Sequence, residues 1–531
     1  MSKRLMAVNC LVEAQTKGSV PVQHARRLSL AFLIFLVPVL SLAAIPTRSA
    51  PLKLTYSTYL GGRTGGFTMI RDVTTDAQGN IYVTGGTAST DFPTTPGAYQ
   101  RSFKGGPMDV FVTKLSPQGQ IVWSTLLGGP EYDRAYAIEV DGNGYVYVAG
   151  RAGRSFPTTT NAFQRRFEGW SGGEPYHWQN AFVAKLKPDG SGLEWASYFG
   201  SGQLIRDLDL DAQGDIYVHS TTGLNGAGYS ATDWFTNAFQ KTPPGADDTV
   251  VAKIKGDGTG VIWATYLGGG TSSEGSSGSL RVNARGEAYS LCVTSSTDMP
   301  TTPGAYQRKH APGVERDFHL AKLSSDGPRL IFGTYLGGSA HEQYETHNLA
   351  LDAQGNAVIA AGTTSSDFPT TPGVYNRTFN GGGYPHGNYP GDVVVAKISA
   401  DGTTLMASTF FGGRLGESVE GIAIDRSGNI YVTGATGSPD LPTTPGAFQR
   451  ALKGVDAFVV KFSPDLRQVL YSSYIGGGAG KGTDLCRCAT LDPAGNFIIA
   501  GETDSTDWPT LNGLNSSFPA APLAKFSAVP P

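Results

Sequence analysis

The sequence predicts an all-β fold: a seven-bladed β-propeller of four-stranded antiparallel blades, closed by the N-terminal strand. Three observations lead to this prediction. A unit of about 69 residues recurs seven times along the chain. Each unit contains four short apolar runs separated by turn residues. The first run of the chain is the strand that the last unit lacks, so the two ends can complete one blade, close a ring and hide its sheet edges.

The repeat unit is clearest between residues 422 and 477. Its four apolar runs, which we name a to d, are residues 422–424, 430–433, 457–462 and 469–475. Between runs a and b, Asp425 can accept hydrogen bonds from the turn amides, and Gly428 can take the positive φ of a tight hairpin. Because β-branched and aromatic residues are frequent in the runs, each run predicts a strand.

Two markers locate the unit in the rest of the chain. A YLGG-like stop begins at Tyr59, Leu126, Tyr198, Tyr266, Tyr335, Phe410 and Tyr474. The turn between runs a and b carries Asp76, Asp141, Asp211, Asn283, Asp352, Asp425 and Asp492. These markers place blades 1 to 6 at residues 63–129, 130–202, 203–269, 270–338, 339–413 and 414–477.

The two ends of the repeat region complement each other. Residues 52–60 form a d run that no a, b or c run precedes, and residues 522–526 form a c run that no d run follows. Blade 7 is therefore predicted to combine residues 478–527 with residues 51–62. The propeller as a whole is predicted to span residues 51–527.

The repeated residues DAQGNIYVTG, DFPTTPGAYQ, DVFVTKL and YSTYLGG resemble the bacterial seven-bladed β-propeller repeat family known as SBBP. The resemblance covers residues 51–527 in seven copies. It implies a propeller in an exported bacterial protein, and it brings no settled biochemical activity with it.

The composition argues against a nucleic-acid partner. The formal net charge is −3 and only 16% of the residues are charged, so the chain has no basic excess with which to neutralise phosphates. The chain is expected to be a monomer.

The N-terminal segment, residues 1–43, predicts a secretory signal peptide behind a long polar leader. Arg26 and Arg27 precede an apolar run at residues 28–42, and Ser41 and Ala43 offer small residues for cleavage. We therefore expect export to the periplasm, the cell surface or the medium. An uncleaved anchor is the alternative, and it would be the only contact with a membrane.

Residues repeated in every blade predict architecture and not an active site. The c run carries Lys114, Lys185, Lys253, Lys322, Lys397, Lys461 and Lys525. An acid opens that run at Asp109, Asp248, Asp317, Asp392 and Asp456, with Asn180 in blade 2. The DFPTTPG element carries Asp91, Asp298, Asp367, Asp440 and Asp507, which we expect to cap loops. Cys486 and Cys488 lie two apart on an a strand, where we expect them to share a face as buried small residues.

Departures from the repeat are the sharper guide to a binding site. They cluster five residues before the a–b turn residue, at Arg71, Tyr136, Arg206, Gly278, His347, Glu420 and Arg487. The next position holds Asp72, Ala137, Asp207, Ser279, Asn348, Gly421 and Cys488. Because strand a is innermost in a propeller, these polar groups are predicted to ring the mouth of the central channel. They could bind an anionic ligand, or they could line a water-filled channel.

The long b–c and d–a links are predicted to emerge together, which gives the propeller a loop-rich face and a plain face. Blades 2 and 5 have enlarged b–c loops there, nearly opposite each other across the ring. The candidate ligand-binding residues on these loops are Trp170, His177, Trp178, Tyr384 and His386. Aromatic side chains of this kind could stack on sugars or could pack the loops down.

Three functions remain open on the sequence alone. The favoured one is an exported, non-enzymatic module that binds a glycan or a protein on the loop-rich face. The second is an enzyme with its site at the channel mouth, and the third is a purely structural or adhesive surface component. No catalytic residue, metal ligand or cofactor is predicted, because no familiar catalytic motif occurs.

Overall fold

The computed structural model describes residues 52–528, with gaps at 64–65, 172–176, 223–231, 246, 273, 275–276, 314–315, 328, 344–346, 383–390 and 515–520. The chain divides into two compact units, residues 1–48 and residues 49–531, and all the described residues lie in the second unit. Among them there is no helix with the length and apolar character that a membrane crossing needs.

Seven antiparallel sheets form the described part of the chain, which confirms the predicted seven-bladed propeller. The first strands are β1 (Leu52–Leu60), β2 (Thr68–Thr75), β3 (Ile81–Thr87), β4 (Asp109–Leu115), β5 (Ile121–Leu127), β6 (Arg134–Val140), β7 (Val146–Ala152), β8 (Trp170–Ser171), β9 (Trp178–Leu186) and β10 (Leu193–Tyr198). The next are β11 (Leu204–Leu210), β12 (Ile216–Thr221), β13 (Thr249–Ile254), β14 (Val261–Leu267), β15 (Ser279–Val282), β16 (Ala288–Thr294), β17 (Asp317–Leu323), β18 (Leu330–Leu336), β19 (Glu342–Gln343) and β20 (Leu349–Leu351). The last are β21 (Ala357–Thr363), β22 (Asp392–Ile398), β23 (Leu405–Phe411), β24 (Glu417–Ile424), β25 (Ile430–Thr436), β26 (Asp456–Phe462), β27 (Val469–Ile475), β28 (Gly480–Leu491), β29 (Phe497–Ser505) and β30 (Ala521–Ala528). A short 3-10 helix covers Thr232–Phe235.

Ring closure follows the prediction. Strand β1 pairs antiparallel with β30, with Leu52 opposite Ala528 and Leu60 opposite Ala521. The sheet order β1-β30-β29-β28 makes β1 the outermost strand of blade 7. The N-terminal strand thereby covers the edge that β30 would otherwise expose.

The a strands line the centre of the ring. Strand β2 contacts β6 on one side and β28 on the other, and the contacts continue from β6 through β11, β15, β20 and β24 back to β28. The hydrophobic core lies between neighbouring blades. One buried cluster, for example, contains Val112 of blade 1 and Val148 of blade 2. Burial of such side chains contributes about 25 cal/mol for each Å² of apolar surface removed from water.

The a–b turns have the predicted hydrogen bonds. The Oδ1 atom of Asp425 accepts the backbone N–H groups of Ser427 and Asn429, both at 2.9 Å. Its Oδ2 atom accepts the side-chain amide of Asn429 at 2.7 Å. Gly428 has φ 82°, a value that favours glycine. These bonds fix the hairpin at the plain face.

The tyrosine of the YLGG stop holds the loop-rich face in place. The Tyr474 hydroxyl donates to the carbonyl of Ser438 at 2.6 Å and accepts the N–H of Leu441 at 2.9 Å. Asp440, from the same loop, accepts the N–H of Arg414 at 3.1 Å, as a loop cap should.

The c-strand lysines are structural, because they pair with the acids of the a–b turns. The acids that open the c strands lie at the other end of the blade, away from these lysines. Lys397 lies 2.6 Å from Asp352, Lys253 lies 2.8 Å from Asp211, and Lys525 lies 2.7 Å from Asp492. Lys185 differs from these lysines. Its ammonium group lies 4.5 Å from the Tyr145 ring centre and 3.4 Å from the carbonyl of Gly256, and no carboxylate pairs with it in the described ranges.

The expectation that Cys486 and Cys488 share a face is wrong. Both are buried and free, but Cys486 pairs with Gly501 and Cys488 with its neighbour Ala500. A β-bulge at Arg487 inserts one residue between them and turns the two thiols to opposite faces of the sheet. They therefore lie in different hydrophobic clusters.

Candidate functional site

The predicted departure position coincides with a β-bulge. The pairing of strands a and b shifts by one residue at Arg71, Tyr136, Arg206, Glu420 and Arg487. In blade 5 the equivalent residue, His347, has φ 57°. A bulged residue is left out of the ladder and its side chain is re-aimed, so these side chains can point into the channel.

Four arginines converge on Tyr136. Their guanidinium carbons lie 5.2 Å (Arg71), 4.5 Å (Arg134), 5.3 Å (Arg151) and 4.8 Å (Arg206) from the centre of its ring. Each distance lies within the range of a cation–π interaction. Tyr136 has no exposed surface, and its hydroxyl has no hydrogen-bond partner among the residues described. We call these five residues the arginine cluster.

The aspartates that follow two of these arginines are engaged elsewhere. Asp72 accepts the N–H of Val73 at 2.7 Å and that of Ile138, in the next blade, at 2.8 Å. Burial, with Asp207 nearby, raises the pKa of Asp72 well above its usual value. Both oxygens of the Asp72 carboxyl group are thus engaged by backbone N–H groups, one of its own strand and one of the next blade.

Asp207 in turn ties blade 3 to blade 4. It accepts the N–H of Leu280 at 2.8 Å and lies 2.9 Å from the guanidinium of Arg281. Asp209 accepts the N–H of Val282 at 2.7 Å. The channel thus holds Arg281 among acidic groups, namely Asp207, Asp209, Glu139 and Asp72.

His347 crosses the channel. Its Nε2 atom lies 3.0 Å from the carbonyl oxygen of Tyr136, which belongs to the opposite side of the ring, so Nε2 carries the hydrogen. Its ring nitrogens lie 3.8 Å from Asp72 and 3.6 Å from Asp207. Burial lowers the pKa of His347 well below its usual value, and the positive charge of Arg281 adds to this effect. The imidazole is therefore neutral and links blade 5 to blade 2 across the channel.

Arg487 and Glu420, two further candidates, form an ion-pair cluster of their own. The Arg487 guanidinium contacts the carboxylates of Glu420 and Glu502, and its Nε donates to Glu502 at 2.8 Å. The structure thus brings Arg71 and Arg206 together on Tyr136, and it places Arg487 with the acids of blades 6 and 7.

The candidates on the enlarged loops are only partly described. Trp178 is half-buried, with the guanidinium of Arg154 4.2 Å from its ring centre and Phe167 at its edge. His177 is exposed. Tyr384, His386 and the side chain of Trp170 lie outside the described residues.

A cavity of about 1130 Å³ lies on the plain face, away from the arginine cluster. It opens between blades 2 and 3, and Lys185, Glu194, Asp211 and Lys255 are among its lining residues. Its charges are mixed in sign and already paired in part, as Asp211 is with Lys253. The convergence of like charges on Tyr136 is the stronger sign of a ligand site. Groups of acids, histidines and cysteines that could hold a metal ion are absent from the described ranges.

Sequence reasoning missed Arg134, Arg151, Arg281 and Glu502. Arg151 and Glu502 occupy one position of strand b, where Gly86, Gly362 and Ala435 stand in other blades. The search for departures was confined to strand a. A search of strand b would have found both residues, because a charge at a position otherwise small or apolar is as clear a departure.

Comparison with known proteins confirms the resemblance to the SBBP repeat family. Residues 55–93, 122–157 and 411–442 match the SBBP beta-propeller repeat. The chain therefore carries repeats of the SBBP family. A curated relative, the regulatory protein FlaEY of Caulobacter vibrioides, is 23% identical over 329 residues, which are 62% of this chain and 26% of that protein. The match thus spans about a quarter of the length of that relative.

Solved structures also resemble the chain. A quinohemoprotein alcohol dehydrogenase from Comamonas testosteroni has a TM-score of 0.43 at 11% identity, covering 90% of this chain and 76% of that one. An ulvan lyase has a TM-score of 0.41 at 11% identity, covering 85% and 94%. BamB from Moraxella catarrhalis has a TM-score of 0.37 at 9% identity, covering 90% and 99%. Likenesses of this size carry no information about function.

Proposed function

We propose that this protein is an exported, non-enzymatic binding module that holds an anionic ligand, an acidic glycan in particular, at the channel mouth on its loop-rich face. The observation that carries the proposal is the convergence of four guanidinium groups on Tyr136. Guanidinium groups suit carboxylates and sulfates because their planar N–H donors can bind two oxygens at once.

The surroundings of the arginine cluster support this proposal. Four guanidinium groups gathered around one ring place many N–H donors close together, and such donors suit an anion. The Tyr136 hydroxyl adds a donor that no described residue uses. The nearest acid in sequence, Asp72, is held by backbone amides and has a raised pKa through burial.

The enzyme alternative has less support. A catalytic acid or base needs access to the substrate and a pKa suited to its task. His347 is neutral because burial lowers its pKa, and its Nε2 hydrogen is held by a backbone carbonyl. The other strongly perturbed acids fall into two sets. The carboxyl groups between blades are buried at repeated positions, and the channel acids Asp72, Glu139, Asp207 and Asp209 are gathered around Arg281.

The proposal is tested by calorimetry on the mature chain with a uronic-acid tetrasaccharide and a neutral tetrasaccharide of equal length. We expect the acidic sugar to bind and the neutral one to bind at least about tenfold more weakly, because each lost charge-assisted hydrogen bond is worth roughly 1.5–3 kcal/mol. The double variant Arg71→Gln/Arg206→Gln should lose the preference, because it removes two guanidinium groups and leaves a neutral polar side chain at each position.

Arg467→Gln serves as the matched control. It removes one positive charge from an exposed turn, where Arg467 pairs with Asp465 at 3.5 Å, far from the channel mouth. This control should bind like the wild type. Equal binding of both sugars by the wild type, or an undiminished preference in the double variant, would refute the proposal.

A further inference from the structure

Five of the blade interfaces contain a pair of buried carboxyl groups. One member opens the c strand of a blade, and the other lies at or before the a strand of the following blade. The pairs are Asp109/Asp133, Asp248/Glu274, Asp317/Glu342, Asp392/Glu417 and Asp456/Asp484. All ten side chains are at most 1% exposed. Buried acids at five equivalent places call for an explanation, because an unpaired buried charge is costly.

The interface between blades 5 and 6 shows the hydrogen bonding of a pair. The Oδ2 atom of Asp392 accepts the N–H of Asn380 at 2.7 Å. The Oε1 atom of Glu417 accepts the hydroxyl of Thr436 at 2.8 Å. The other two oxygens, Asp392 Oδ1 and Glu417 Oε2, are buried and have no partner in the part of the chain described.

These two oxygens face each other. A Cβ atom built on Gly412 would lie 2.8 Å from Asp392 Oδ1 and 2.5 Å from Glu417 Oε2, so both atoms approach the same point. The first glycine of the YLGG-like stop is needed there because any side chain would strike both oxygens. At the next interface Gly476 stands in the same relation to Asp456 and Asp484, at 2.6 and 2.8 Å.

The same pattern recurs in two more interfaces. Asp248 Oδ1 and Glu274 Oε2 are buried without a partner among the described residues, and so are Asp317 Oδ1 and Glu342 Oε2. In each of these pairs the remaining carboxyl oxygens are hydrogen-bonded. One hydrogen between the facing oxygens would complete the network.

Blade 2 shows where that hydrogen belongs. Asn180 replaces the c-strand acid, and its Oδ1 atom accepts the N–H of Glu168 at 2.9 Å, as Asp392 accepts that of Asn380. Its amide nitrogen donates to the carbonyls of Gly200 and Gly202, at 3.0 and 3.2 Å. The Nδ2 atom of Asn180, which stands where the second carboxyl oxygen of the aspartates lies, is therefore a hydrogen-bond donor.

We propose that each of the pairs Asp248/Glu274, Asp317/Glu342 and Asp392/Glu417 binds one proton between its facing oxygens at neutral pH, so that a carboxylic acid donates to the carboxylate opposite and joins neighbouring blades. Each pair then carries one negative charge instead of two. The proton supplies the hydrogen that the Asn180 amide supplies between blades 2 and 3. The Asp109/Asp133 and Asp456/Asp484 pairs differ, because Asp133 Oδ2, Asp456 Oδ1 and Asp484 Oδ2 already accept backbone N–H groups.

The electrostatic surroundings agree with this assignment. Burial raises the pKa of Glu417 to about 8 and that of Glu342 to about 7. Burial also raises the pKa values of Asp248 and Glu274, each of which has the other as its neighbour. The other titratable groups that face the pairs are Tyr59, Lys104, Glu131, Tyr198, Cys292, His310, Tyr335, Lys453 and Tyr474.

The direction of the pH dependence follows from these raised values. Because the folded-state pKa exceeds the unfolded value of about 4, the stabilisation by the bound proton is complete below about pH 4. It is lost as the pH rises through the folded values near 7 and 8. His219, His319 and His347 have lowered pKa values. They therefore change the pH dependence of stability only below about pH 6.5, where a histidine of the unfolded chain gains its proton. Burial also raises the pKa of Glu139, in the channel, to about 8. The interval from about pH 6.5 to 8.5 therefore reports on the carboxyl pairs and on Glu139, and the Asp392→Asn variant isolates the contribution of one pair.

Infrared spectroscopy and thermal unfolding of the mature chain test the proposal. At pH 7 the wild type should show the C=O absorption of buried carboxylic acids, and its Tm should fall between pH 6.5 and 8.5. Asp392→Asn, which copies Asn180, should remove one such acid and reduce the part of the fall in Tm that the pairs cause by roughly a third, since one of three such pairs is replaced. The exposed Asp465→Asn should change neither property.

Two results would overturn the proposal. One is a wild-type spectrum without a carboxylic-acid band at pH 7, a measurement that does not depend on the folding of any variant. The other is a chelator that lowers Tm, with recovery on adding calcium, because the pairs would then hold a divalent cation in place of the proton. Unchanged Tm with chelator, together with an acid band that Asp392→Asn weakens, supports the shared proton.

Discussion

One repeat position holds a different side chain in almost every blade, and its neighbours decide what that side chain does. Arg71 and Arg487 occupy this position in adjacent blades. Arg71 lies against Tyr136, whereas Arg487 contacts Glu420 and Glu502. The difference arises from strand b, which supplies Glu502 beside Arg487 and Gly86 in blade 1. The residue on strand b thus decides whether the arginine at this position joins the Glu420 and Glu502 cluster or packs on Tyr136.

Removing Arg487 should be strongly destabilising. Glu420 is 2% exposed, and the change Arg487→Met would leave two carboxylates without their cation. We expect the free energy of unfolding to fall by roughly 3–5 kcal/mol, as for other broken buried pairs. Equilibrium denaturation measures this loss. Arg467→Met, at a pair whose side chains are 67% and 56% exposed, should cost no more than about 1 kcal/mol. Equal losses in the two variants would show that the Arg487 cluster is not a stabilising element.

At the scale of the strands, the repeat was enough to predict the blades, because the features that form a blade lie close together in the sequence. Alternating apolar runs, the turn aspartate and the turn glycine all lie within a few residues of each other. The bulges could not be predicted in this way. A bulge at Arg487 is visible only when Cys486 and Cys488 are paired with their partners on strand b, so the faces of the two thiols were assigned wrongly. The convergence on Tyr136 was missed for a similar reason, since it combines three blades.

Strand β1 is the element on which closure depends. Deleting residues 51–60 should leave β30 as an exposed edge and lower the Tm markedly, because the apolar surface of Leu54 and Tyr59 is lost with it. A permuted chain with residues 52–60 attached after residue 528 through a short flexible linker should recover most of the loss. A truncated protein with the same Tm as the intact mature chain would contradict this account of closure.

For the molecule as a whole, export remains a prediction from the N-terminal segment. Arg26 and Arg27 precede an apolar run, and Ala43 is suited to the residue before the cleavage site. N-terminal sequencing of the protein from the periplasm or medium should begin at Ala44 or within a few residues of it. An intact N-terminus in the membrane fraction would favour an uncleaved anchor instead.

The most direct test of the central claim is anomalous diffraction from crystals of the mature protein grown with selenate, an anion that a cluster of guanidinium groups can bind. The account predicts an anomalous peak within hydrogen-bonding distance of the Tyr136 hydroxyl and at least two of the surrounding arginines, and no such peak in the Arg71→Gln/Arg206→Gln variant. Selenate bound only elsewhere, with this place empty in the wild type, would contradict the assignment of an anion site to the arginine cluster.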